Sequence, residues 1–177
     1  KHSFYYRPDL PINLNAQQVR KMKEFTPENF DNKIQELTKN ILNGTIKKVS
    51  QVLVWLDTHG KLNPKTNVFE MDANGEMFSP TALKALVAAA EKKGVKLGVM
   101  GFTCYSGELM KYRSPNVCIL TDAQPNKISL SGVSIISSQR LRDRKDSNLE
   151  ELYLNTRIED IRLSENYQTQ PRSEEHT

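Results

Sequence analysis

Residues 94–107 read GVKLGVMGFTCYSG, an apolar run with no charge after Lys96 that ends in Cys104 and a Tyr-Ser-Gly turn. Val95, Leu97, Val99, Met100 and Phe102 are too continuous for a half-exposed strand. Between Gly94 and Gly107 the run is also too short for a buried helix. A central strand of a parallel sheet, covered on both faces, fits the pattern. In such sheets reactive groups gather beyond the carboxyl ends of the strands, where this reading places Cys104. A buried structural cysteine is the other reading of the same residues, because free cysteine packs as a small hydrophobe.

A second stretch has the same form. Residues 51–60, QVLVWLDTHG, carry the apolar run Val52 to Leu56 and end in His59 and Gly60. Two buried parallel strands would present a histidine and a cysteine at one edge of one sheet. That pairing has a chemical purpose. The thiolate is the nucleophile, and an imidazole beside it lowers the thiol pKa and later protonates the leaving group. The backbone N–H groups of Gly60 and Cys104 would hold the oxyanion of an acyl-transfer intermediate.

The apolar block ending in His-Gly, followed by a second apolar block ending in Cys, resembles the caspase-like cysteine peptidases, the group of caspases, metacaspases, legumains, clostripain and gingipains. His59 lies 45 residues before Cys104, close to the spacing of about 50 in caspases. The stretch CYSG at 104–107 is similar to the Cys-x-Ser-Gly of bacterial metacaspase-like members. Between the two blocks, VFEMDANGEMFS reads as a hairpin through Asn74-Gly75 and TALKALVAAAEKKG as a helix, in the order the family uses. The resemblance covers about a third of the chain closely, from 49 to 107. It implies a three-layer α/β sandwich with a mostly parallel central sheet of five or six strands flanked by helices. It also implies a cysteine endopeptidase acting on a peptide or protein substrate through a Cys-His dyad, with no cofactor and no metal. Thr103 stands where the family usually has a small residue and Phe102 where it often has an acid. Those departures motivate a second reading, a catalytically silent caspase-like domain serving interaction or regulation. A third is a flavodoxin-like domain with a structural Cys104.

Composition bounds these readings. The 177 residues suit one domain, and 37% hydrophobic with 26% charged residues is ordinary for a globular chain. No apolar run approaches the roughly 18 residues of a membrane span. The net charge of +4 is dispersed, with no aromatic-interleaved basic stripe for nucleic acid. Two cysteines make no disulfide framework. Because the chain starts at Lys1 rather than Met, we expect a segment to have been removed before it. The family's first strand then lies upstream of Lys1, or another segment replaces it.

In chain order, residues 1–25 read as an N-terminal arm, 26–163 as the peptidase domain and 164–177 as a flexible tail. Thr26-Pro27-Glu28 opens a helix that Gly44 stops. Residues 61–67 read as a polar loop. Asp72, Asn74 and Glu76 alternate through a hairpin turn too short for a twelve-residue calcium loop. After Cys104 come a short helix at 106–111, a strand at 116–121, a further strand or two within 128–138, an exposed charged loop at 139–146 and a helix at 148–161. Asp122 follows the 116–121 strand and is the one carboxylate between Glu108 and Asp143. Opposite charges attract across a specificity pocket, so Asp122 is expected at its floor, favouring Arg or Lys before the cut. Arg140, Arg142 and Arg144 would instead favour Asp if their loop covered that pocket.

Overall fold

The computed structural model describes residues 5–6, 23–129, 133–143 and 146–169. They divide into two compact units, 1–129 and 130–177. The first is α/β. Two-residue strands β1 (Tyr5–Tyr6) and β2 (Lys23–Glu24) pair in parallel and precede helix α1 (Pro27–Leu42). Thr26 is extended and its Oγ1 accepts from Asn29 N at 3.1 Å, which caps the helix, while Pro27 sits where a missing N–H costs nothing. Phe30, Ile34 and Ile41 form the buried stripe of α1.

The central sheet has the order β3 (Gln51–Asp57), β7 (Lys96–Phe102), β8 (Val117–Thr121), and all three strands are parallel. The uninterrupted apolar run is the middle strand, as its composition demands. Among the described strands only β7 is enclosed in this way. β3 is an edge strand with Leu53 41% exposed, so it differs from the fully covered strand expected at 51–57. Val54, Leu56, Leu97, Val99, Val117 and Ile119 share one core with Phe30 and Ile34 of α1 and with Leu83, Leu86, Ala89 and Ala90 of α2 (Leu83–Lys93). Trp55 is half-buried and packs on Phe102, ring centroids 4.6 Å apart.

A separate antiparallel sheet holds β4 (Gly60–Leu62), β5 (Phe69–Ala73) and β6 (Glu76–Phe78) in sequence order. Asn74 and Gly75 both have positive φ, 56° and 89°, the conformation a two-residue hairpin loop requires. Asp72 closes that turn, its Oδ1 accepting from Gly75 N at 2.6 Å. Residues 61 and 62 were expected in a loop; they belong to a strand because Gly60, Lys61 and Leu62 extend the hairpin by pairing with Met71, Glu70 and Phe69. Phe25, Phe30 and Phe78 form an edge-to-face cluster that fastens β6 to α1.

The second unit contains α3 (Val133–Arg142) and α4 (Leu149–Thr169). The strand expected within 128–138 is absent from the described residues, since 133–142 is helical. The β-branched residues there suggested a strand, but packing overrides that preference: Ile136 and Ser137 are buried together with Leu152 and Thr156, and Ser137 Oγ donates to Thr156 Oγ1 at 3.1 Å. The central sheet therefore has three strands among the described residues rather than five or six. The expected charged loop at 139–146 begins as the last turn of α3, and Arg140 grips the Asp146 carboxylate with Nε and Nη2 at 2.9 and 2.6 Å. α4 continues past 164, where a flexible tail was expected, because extending a formed helix adds a hydrogen bond for each residue ordered. Residues 170–177, most of the arm at 1–25, and Arg144 lie outside the described residues. None of the described helices is long and apolar enough to cross a membrane.

Candidate functional site

The carboxyl ends of β3 and β7 lie side by side, with Asp57 opposite Phe102 and Thr58 N donating to Phe102 O at 3.3 Å. Both chains continue past this edge together. A side-chain carbon on Gly60 would lie 2.2 Å from Thr103 Oγ1 and 2.4 Å from Cys104 O, so glycine is what admits the cysteine loop against the His-Gly dipeptide. The two segments that the sequence singled out thus meet at one sheet edge.

His59 sits in the two-residue gap between β3 and β4, with its side chain exposed. It is not a core histidine. Its carbonyl accepts from Asp72 N at 2.9 Å, which makes His59 and Asp72 a hydrogen-bonded pair of the antiparallel ladder. Gly60, next along and opposite Met71, then occupies the non-hydrogen-bonded position. Its N–H points away from β5.

Cys104 is half-buried in a tight turn. Thr103 before it is 1% exposed, and Tyr105 after it has φ 63°. A left-handed tyrosine is uncommon, and residues held in such conformations cluster at functional sites. Tyr105 is the N-cap of a 3₁₀ helix, Ser106–Tyr112, and its N–H donates to Lys127 O at 2.8 Å. The Ser-Gly of the motif has a physical role. Ser106 is fully buried, its Oγ donates to Asp122 Oδ1 at 2.9 Å and accepts from Ala123 N at 3.1 Å. Gly107 lies so close to the next loop that a Cβ there would be 2.4 Å from Pro125 N. Segment 122–129 is thereby packed along the cysteine turn.

Asp122 is half-buried, and its carboxylate faces that turn. Oδ1 accepts from Thr103 N at 3.3 Å as well as from Ser106 Oγ, and Oδ2 accepts from Ser129 Oγ. Ser129 N in turn donates to Cys104 Sγ at 3.4 Å. The sequence reading missed Ser129, because a lone serine in a loop carries no periodic or motif signal. Arg140, one of the three arginines weighed for the pocket, is held in the second unit by Asp146 and by Glu159, whose Oε2 is 3.3 Å from Nη1. The hydrogen bond to Asp146 raises its pKa further. Among the described residues no cluster of three or more His, Cys, Asp or Glu side chains could hold a metal ion.

No family model matches the chain, and no curated protein or solved structure is similar to it.

Proposed function

We propose that the chain is a cysteine endopeptidase of caspase-like architecture, with the three-layer sandwich and Cys-His dyad that this implies. The observation that carries the reading is the approach of Gly60 to Cys104 O, which joins the His-Gly segment to the cysteine turn at the carboxyl edge of a parallel sheet. In the proposed cycle the Cys104 thiolate attacks the scissile carbonyl of a peptide or protein substrate. The N–H groups of Gly60 and Cys104 receive the oxyanion. Protonated His59 gives its proton to the leaving amine as the C–N bond breaks. Neutral His59 then takes a proton from water, whose oxygen attacks the thioester, and the thiolate departs from the carboxylic acid product.

The test is covalent labelling with a peptide chloromethyl ketone, together with hydrolysis of a peptide library. The wild type is expected to be labelled at Cys104 and Cys104→Ala to be inert. Labelling that persists at the wild-type rate in Cys104→Ala removes this residue from the reaction. Cys104 that reacts with iodoacetamide but with no peptide reagent and no substrate would mark a silent domain instead.

A further inference from the structure

We propose that Ser129 supplies a backbone N–H donor to the Cys104 sulfur, and that Asp122 is the positioning residue that holds this donor in place. One carboxylate binds three points around the cysteine: Thr103 N on one side, Ser106 Oγ on the other, and Ser129 Oγ, the side chain of the residue whose N–H reaches Sγ at 3.4 Å. Segment 122–129 is already fastened to the turn without that last contact. Ser106 Oγ takes Ala123 N, Tyr105 N reaches Lys127 O, Lys127 N reaches Gln124 O at 3.1 Å, and Gly107 packs on Pro125. The Asp122–Ser129 bond adds little to closing the loop and fixes where the Ser129 N–H points. A donor aimed at sulfur stabilises the thiolate more than the thiol, and so promotes ionisation.

The charge of Asp122 acts in the opposite direction, since a nearby carboxylate disfavours a thiolate. This gives the two roles of Asp122 opposite signs. If Asp122 acted on Cys104 only through its charge, removing it would ease ionisation; if it acts by anchoring Ser129, removing it impedes ionisation. The other ionisable groups on the segments around Cys104 are Asp57 at the end of β3, His59 after it, Lys61 in β4, Glu70 and Asp72 in β5, Tyr105 at the start of the 3₁₀ helix, Glu108, Lys111 and Tyr112 within it, and Lys127. All remain in the variants below.

The importance of this donor for peptide hydrolysis rests on the peptidase reading, but its test does not. The intact chain is alkylated with iodoacetamide across pH, and modification of Cys104 is followed apart from the exposed Cys118 by peptide mass spectrometry. Ser129→Ala, Ser129→Pro and Asp122→Ala are each expected to move the midpoint of the Cys104 profile upward. A shift near one unit slows alkylation near neutral pH about tenfold. Above the midpoint, where all of the sulfur is thiolate, the rates converge. Circular dichroism identifies any variant that does not fold, and Ser129→Ala alone, which keeps both the Asp122 charge and the N–H, is then decisive. An unchanged midpoint in folded Ser129→Ala, or a downward shift in folded Asp122→Ala, overturns the proposal. An upward shift in a protein that takes no peptide warhead upholds it and sinks the peptidase reading instead.

Discussion

Gly60 approaches Cys104 so closely that a methyl group on its Cα would lie 2.4 Å from the cysteine's carbonyl oxygen. The neighbour is backbone in a tight turn and cannot rotate aside, so Gly60→Ala must displace the turn itself. Overpacking of this kind costs about 1–3 kcal/mol. Chemical denaturation of Gly60→Ala should show a loss in that range, together with slower labelling of Cys104. Wild-type stability in this variant would mean that the two segments are not held against each other.

His59 is exposed beside that contact, which separates its chemistry from the fold. Replacing an exposed side chain with Ala leaves the core intact, whereas losing a general acid–base group lowers turnover roughly 10²- to 10⁴-fold. His59→Ala is expected to unfold at the wild-type temperature and to hydrolyse peptides slower by that factor. A variant that melts early, or one that cleaves as fast as the wild type, removes His59 from the dyad.

The elements around this site were legible where one local pattern decides the structure. The uninterrupted run at Val95, Leu97, Val99, Met100 and Phe102 marks the central strand, Thr26-Pro27 the start of α1, and Asn74-Gly75 the hairpin. Reading failed where distant partners decide. Val133 to Ser138 has strand-like residues but is helical because Ile136 and Ser137 pack with α4. Lys61 and Leu62, expected in a loop, are strand through pairing with β5, which lies beyond an intervening turn. Within the site, His59 and Cys104 were conspicuous because each ends an apolar run. The direction of the Asp122 carboxylate and the Ser129 contact depend on how segment 122–129 folds back, which no spacing encodes.

Glu91 ties α2 to the start of β8. Its carboxylate accepts from Ser114 Oγ, from Asn116 N at 2.6 Å and from Asn116 Nδ2 at 3.2 Å. These bonds, that of Ser114 foremost, hold its pKa below the ordinary 4.5. A carboxyl whose folded-state pKa is depressed contributes stability that is fully present above its unfolded value and is lost as pH falls through the folded one. Glu91→Gln should therefore melt below the wild type at neutral pH, and the gap should narrow as the solution is taken well below pH 4.5. A gap of equal size at both pH values would show that the charge of Glu91 is irrelevant to its role.

Asp122 allows the sharpest test, because its two possible roles affect different kinetic constants. A carboxylate at the pocket floor would attract Arg or Lys before the cut, and its loss would raise KM for those substrates and change the order of preference. The carboxylate accepts from Thr103 N, Ser106 Oγ and Ser129 Oγ, all on the cysteine turn or on the segment packed along it. If Asp122 acts on Cys104 through Ser129, as proposed, its loss is felt whatever side chain the substrate presents. On matched peptides carrying Arg, Lys, Asn or Asp before the cut, Asp122→Ala is thus expected to lower kcat for every peptide by about the same factor. KM and the order of preference should stay as in the wild type. A selective rise in KM for the Arg and Lys peptides would place Asp122 at the pocket floor and show that its contacts with the turn are incidental.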